Sequence, residues 1–180
     1  MKRILLLAAL FVLAVPVAYA APPGGQGEES ANQAASPSDL CREQRRTMGM
    51  ASFRSTYAPT GSPKAAFDAC VAKLSQAAST NAKNAAKACQ AERAKDPLAF
   101  QTKYGKNTNK ANAFGKCVSM TARGLTEAQQ DATLDAAAAC KSERQQMGAD
   151  AFKGKYGTNA NKSNAFGKCI QKLKKPTQQP

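Results

Sequence analysis

The sequence predicts an all-α protein of three tandem, disulfide-pinned helical repeat units behind a flexible N-terminal leader, and three observations carry that reading. Six cysteines fall into pairs 29, 28 and 29 residues apart: Cys41 with Cys70, Cys89 with Cys117, and Cys140 with Cys169. Aromatic residues stand in one register before each second cysteine. The spacings inside each unit are helical, and Gly or Asp-Pro breaks recur at matching places.

The chain opens Met1-Lys2-Arg3, runs apolar from Ile4 to about Val17, and reaches Ala18-Tyr19-Ala20 ahead of Ala21-Pro22-Pro23. A basic start, an apolar stretch too short to span a bilayer comfortably and an Ala-x-Ala end describe a secretory signal peptide over residues 1–20, cleaved near Ala20. The mature chain is then expected to be secreted, periplasmic or in the cell envelope, with no transmembrane segment. Residues 21–37, rich in Gly, Pro, Ser and Gln, read as a disordered leader, and residues 175–180 as a flexible tail.

Unit one spans 38–78, unit two 79–122 and unit three 125–174. In each, an Arg follows the first cysteine by four (Arg45, Arg93, Arg144). A Phe precedes the second cysteine by 17 (Phe53, Phe100, Phe152), with a Tyr four after it (Tyr57, Tyr104, Tyr156). A second Phe stands three before the second cysteine (Phe67, Phe114, Phe166), and Val71, Val118 and Ile170 extend its stripe. Spacings of three and four put these side chains on shared helix faces.

Each unit therefore reads as three helices. The first covers about 38–47, 81–95 or 127–147 and breaks at Met48-Gly49, Asp96-Pro97 or Met147-Gly148. The second ends at Tyr-Gly in units two and three, where Gly105 and Gly157 are expected to turn left-handed. The third begins at an N-cap, Ser62 before Pro63 in unit one and Asn109 and Asn161 in the others.

Large apolar side chains are scarce: Leu, Ile, Val and Phe together number 15 of the 160 residues after Ala20. A core that thin needs another constraint, and an even cysteine count in an exported chain is read first as disulfides. Closing a loop of this length restricts the unfolded chain by about 3.5 kcal/mol in the entropy model.

The cysteines stand singly and the chain has no histidine, which argues against zinc, thiol exchange and Ser-His or Cys-His nucleophiles. No catalytic residue, metal ligand or cofactor is assigned, and the chain reads as a non-enzyme. The Asn-rich loops lack the carboxylates of a calcium site and are surrounded by lysines. Glu92 and Glu143 read as surface helix charges or as braces to a neighbouring segment.

The whole chain carries a formal +14, and losing Lys2 and Arg3 leaves 24 basic against 12 acidic side chains, +12. Such an excess favours association with an anionic envelope polymer or an anionic membrane surface, without specific nucleic-acid recognition. Residues 103–117 match 155–169 at 12 of 15 positions, whereas 89–102 share few residues with unit three. The retained phrase points to a demanding turn or to a surface used twice. Its candidate binding residues are Tyr104, Asn107, Lys110, Asn112 and Lys116, with counterparts Tyr156, Asn159, Lys162, Asn164 and Lys168.

Cys-x-x-Glu-Arg, Tyr-Gly-Thr-Asn and Asn-Ala-Phe-Gly-Lys-Cys resemble a recurrent motif of exported, Ala-rich bacterial proteins that has no activity attached to it. The resemblance covers units two and three, and unit one in its frame alone. It implies an extracytoplasmic bacterial setting and adds no catalytic residue.

Overall fold

The computed structural model describes residues 35–174; the expected signal peptide, most of the leader and the tail at 175–180 lie outside the described residues. Within them the chain forms seven helices and no strand: α1 (Pro37–Met48), α2 (Met50–Tyr57), α3 (Pro63–Lys95), α4 (Pro97–Tyr104), α5 (Ala113–Met147), α6 (Ala149–Tyr156) and α7 (Ala165–Leu173). No described helix is long and apolar enough to cross a membrane.

Three of the starts are capped by a side chain ahead of a proline. Ser36 Oγ accepts from Asp39 N at 3.2 Å, Ser62 Oγ from Ala65 N at 3.1 Å, and Asp96 Oδ1 from Leu98 N and Ala99 N at 3.1 and 2.9 Å. Each contributes about 1 kcal/mol by pairing first-turn N–H groups that no carbonyl reaches. The joints between α1 and α2 and between α5 and α6 are Gly49 and Gly148, at φ +79° and +85°. That left-handed conformation lets a helix stop and restart within one residue at little steric cost to glycine.

Seven helices replace the nine expected because the third helix of one unit runs into the first helix of the next. α3 passes through the boundary at 78/79 and α5 through 122–125. Residues 71–80, Val-Ala-Lys-Leu-Ser-Gln-Ala-Ala-Ser-Thr, contain neither Gly nor Pro, so nothing stops the helix. Gly124 costs α5 some propensity without ending it.

α3 and α5 run antiparallel against each other. Cys89 on α3 is bridged to Cys117 on α5, while Asn81, two turns earlier on α3, meets Thr126 and Gln129, further along α5. Asn81 is fully buried, and its amide exchanges hydrogen bonds with Gln129 in both directions, at 3.1 and 3.2 Å. A buried amide satisfied in this way fixes the register of two Ala-rich helices that have few large knobs to do so.

The three disulfides are Cys41–Cys70, Cys89–Cys117 and Cys140–Cys169, each with its Cα atoms 6.0 Å apart. They lie in two apolar clusters. One joins units one and three, with Cys41, Phe53, Cys70, Cys140, Phe152, Phe166 and Cys169 among its members. The other belongs to unit two alone and holds Cys89, Phe100, Tyr104, Ala113 and Cys117, with Phe114 and Val118 partly buried against it.

Candidate functional site

The retained phrase begins at the end of a short helix. Phe100 and Tyr104 stack with ring centroids 4.9 Å apart, as do Phe53 with Tyr57 at 4.9 Å and Phe152 with Tyr156 at 5.0 Å. The rings share an apolar cluster with the bridged cysteines, and the tyrosine hydroxyl is directed at the residue three after the first cysteine. Tyr104 Oη donates to Glu92 Oε2 at 2.9 Å, Tyr156 Oη to Glu143 Oε2 at 2.8 Å, and Tyr57 Oη to Gln44 Oε1.

Each glutamate takes a second donor from the lysine before the tyrosine. Lys103 Nζ stands 2.7 Å from Glu92 Oε1 and Lys155 Nζ 2.5 Å from Glu143 Oε1. The lysine and then the tyrosine hydrogen bond hold both carboxyls below the ordinary value of 4.5. In unit one the position is Gln44, fully buried, whose amide donates to Gln130 Oε1 at 2.6 Å. An amide is the group that burial permits there, because a carboxylate in that place would need a buried counter-charge. Burial also pushes the Tyr57 hydroxyl up to about 12. Glu92 and Glu143 are thus braces between helices.

The loop after the tyrosine is held by its own asparagines. Asn112 Oδ1 accepts from Lys106 N at 3.0 Å, and Asn107 Oδ1 accepts from Asn112 N at 3.4 Å. Asn107 Nδ2 donates to Asn109 Oδ1 at 2.7 Å. Unit three repeats the pattern: Asn164 Oδ1 accepts from Thr158 N at 3.0 Å, Asn159 Oδ1 from Asn164 N at 3.3 Å, and Asn159 Nδ2 donates to Ser163 Oγ at 2.9 Å.

Two local expectations are corrected. Asn109 and Asn161 do not cap the third helix; Asn112 and Asn164 occupy the cap positions, and neither makes a side-chain cap hydrogen bond. Asn109 Oδ1 and Asn161 Oδ1 instead close tight turns on Ala111 N and Ser163 N, both at 3.1 Å. The cause is Lys110 and Lys162, at φ +56° and +54°, which delay the helix by a turn.

Gly105 and Gly157 are not left-handed either, with φ −71° and −73°. Glycine is required at Gly105 for close approach: a Cβ would lie 2.6 Å from Gln101 O and 2.7 Å from Lys110 Cδ. The Lys110 stem covers Gly105, and its Nζ donates to Gly105 O at 3.1 Å.

The ten candidate binding residues therefore form two separate groups, one beside each apolar cluster. Tyr104 and Tyr156 are buried, and Asn107, Asn112, Asn159 and Asn164 are committed to their own turns. Lys110, Lys116, Lys162 and Lys168 remain exposed to solvent. No protein-family model, curated relative or solved structure matches the chain.

One further basic place lies among α2, α3, α5 and α7, a groove of about 100 Å³ lined by Tyr57, Lys73, Gln129, Thr133, Ile170 and Lys174. Burial, and then the charge of Lys73, hold the Lys174 ammonium below its ordinary value. No sequence signal marked this pair, since the two lysines lie about a hundred residues apart and in different units. Among the described residues no three His, Cys, Asp or Glu side chains gather as metal ligands, and all six cysteines are bridged.

Proposed function

We propose that the chain is an exported, non-enzymatic helical protein of three repeat units, whose basic surface associates with an anionic polymer of the cell envelope, an anionic membrane surface or another polyanion. The observation that carries this reading is the pair Lys110 and Lys162. Both are exposed lysines held left-handed in matching loops, where Asn or Gly would adopt the same backbone more cheaply. A residue kept against local preference, twice, in a chain of +14 supports use of its charge. The Lys73–Lys174 pair supports it too, because an anion between two ammonium groups would relieve their repulsion.

Export is supported by the apolar N-terminus ahead of Ala20 and by three disulfides, which persist in oxidising compartments. The recurrence of the Phe–Tyr pair and of the tyrosine brace in all three units supports the repeat reading.

A second reading, a disulfide-rigidified spacer or protein-interaction scaffold, draws on the asparagines, which are consumed in holding their own turns. The two are separated by binding to a soluble polyacid and to anionic against zwitterionic vesicles over a salt series. Charge association weakens steeply as the screening length contracts from about 10 Å at 0.1 M to about 3 Å at 1 M. Binding that is absent at low salt, or that ignores salt, leaves the scaffold reading.

A further inference from the structure

Arg45, Arg93 and Arg144 each stand four after the first cysteine of their unit, yet their guanidinium groups end in different places. Arg45 lies over the Phe67 ring at 5.6 Å and Arg93 over the Phe114 ring at 5.0 Å. In unit three the ring is taken. Phe166 is 4% exposed and 6.2 Å from Phe152, and α2 is fastened to its backbone, where Ser55 Oγ donates to Ser163 O at 2.5 Å and accepts from Phe166 N at 3.2 Å. Arg144 is left exposed, with no hydrogen bond, ion pair or ring contact among the described residues. The adjacent Glu143 does not serve it, since both of its oxygens are bonded, to Lys155 and Tyr156.

Arg144 lines two adjoining hollows where units one and three meet, of about 170 and 320 Å³, with Ser52 and Phe166 common to both. Lys153 and Lys162 stand at the first and Lys141 at the second, and no acidic side chain lines either. Lys153 has a loose partner in the exposed Asp150, at 3.7 Å and outside the lining. The Ser52 carbonyl accepts from Thr56 Oγ1 at 2.8 Å, while its own hydroxyl has no partner among the described residues. Cations gathered without a carboxylate repel one another, and a bound anion relieves that repulsion.

We infer that the hollow at Arg144 binds a phosphate group, free or as a monoester, between the Arg144 guanidinium of α5, the Lys162 ammonium of the loop before α7 and the Ser52 hydroxyl of α2. A planar carboxylate is satisfied by the two parallel N–H groups of one guanidinium. Donors arriving from three elements suit tetrahedral oxygens, and a charge of about −1.5 to −2 answers several cations at once. The site names one group and one place for the proposed association with anions, and rests on that reading. It occurs once in the chain, because Arg45 and Arg93 keep their rings.

An NMR titration of the full, disulfide-bonded chain with inorganic phosphate, at fixed ionic strength and with acetate as comparison, tests this. The expected result is a saturable shift centred on Ser52, Arg144 and Ser163 rather than on the matching loop at Lys110, with a Kd of about 1 mM or tighter. Arg144→Ala should weaken it about tenfold or more, the contribution of one charge-assisted bond, and Arg93→Ala should leave it unchanged. Arg144 has no polar or ring partner to lose, so Arg144→Ala keeps the melting temperature. No saturation by about 10 mM, equal weakening in Arg93→Ala, or acetate bound as tightly as phosphate overturns the inference. Zwitterionic vesicles carrying phosphatidic acid separate the sources. Vesicle binding that Arg144→Ala removes assigns the phosphate to a headgroup, and binding of inorganic phosphate without the vesicles assigns it to a soluble compound. Salt-sensitive polyacid binding without a phosphate site fails this inference alone, and a chain that binds neither fails the broader reading with it.

Discussion

The Tyr156 hydroxyl donates to Glu143 Oε2 at 2.8 Å, and the same bond ties α4 to α3 through Tyr104 and Glu92 at 2.9 Å. It links the last turn of a short helix to the helix that carries the first cysteine. The disulfide holds the second cysteine's helix to that same helix, so one residue on the long helix locates the short one. Where unit one is covered by unit three, the acceptor is the uncharged Gln44.

This pairing sets a pH dependence. Glu92 and Glu143 sit below their ordinary value of 4.5 in the folded chain, by the lysine and then the tyrosine hydrogen bonds. Their contribution is complete above 4.5 and is lost as pH falls from there through the folded value. The double variant Glu92→Gln/Glu143→Gln keeps a tyrosine acceptor, as Gln44 does, and drops the ion pairs. Urea unfolding at a series of pH values should show the wild type more stable at neutral pH, with the gap closing below 4.5. A gap unchanged into acid would mean that the carboxylates contribute nothing through their charge.

Identical phrases should respond oppositely to one substitution. Gly167→Ala drives a methyl into the Thr56 and Ser55 backbone, which cannot give way as a side-chain tip would. It should cost about 1–3 kcal/mol, the usual range for overpacking. Gly115→Ala meets open space inside α5 and should stabilise by about 0.5–1 kcal/mol, the propensity difference between the two residues in a helix. Thermal melts of the two variants check both signs.

That contrast shows where the sequence is legible. Ser62-Pro63 reads as a helix start because a hydroxyl acceptor and a preset φ act locally, and the structure has that cap. Asn109 reads as well for a cap as for a turn, and the left-handed Lys110 that decides between them follows no local preference. Gly49 and Gly148 were readable as breaks since no other residue takes their φ without strain. The burial of Phe166 beside the partial exposure of Phe114 was not readable, because both lie in Asn-Ala-Phe-Gly-Lys-Cys. Their difference comes from α2, a hundred residues away in the chain. The tyrosine brace left a trace in Gln44, Glu92 and Glu143, all three positions after a first cysteine.

Unit two should be the part that depends most on its disulfide. Its cluster holds Cys89, Phe100, Tyr104, Ala113 and Cys117, whereas the other two bridges share one larger cluster. Removing a bridge that closes 28 residues costs about 3.5 kcal/mol in the entropy model, a large share for so small a cluster. In Cys89→Ala/Cys117→Ala, hydrogen exchange over 97–112 should approach that of an open chain while α1, α2 and α7 stay protected. Uniform loss of protection would show that the two clusters melt together.

The left-handed lysines separate stability from association. A non-glycine residue in that conformation costs about 1–2 kcal/mol, and Asn tolerates it better than Lys because its short side chain bonds locally. Lys110→Asn/Lys162→Asn gives up the Lys110 bond to Gly105 O and both charges, and relieves two strained backbones. The folded state should hold its stability or gain up to about 1 kcal/mol by chemical denaturation, within what such relief supplies. Polyacid binding should weaken, and its midpoint should move to lower salt, because two exposed charges are gone from matching loops. Retained binding with raised stability would place these lysines in the turn alone and leave association to the Lys73 and Lys174 groove. There, charge reversal of both residues should abolish it.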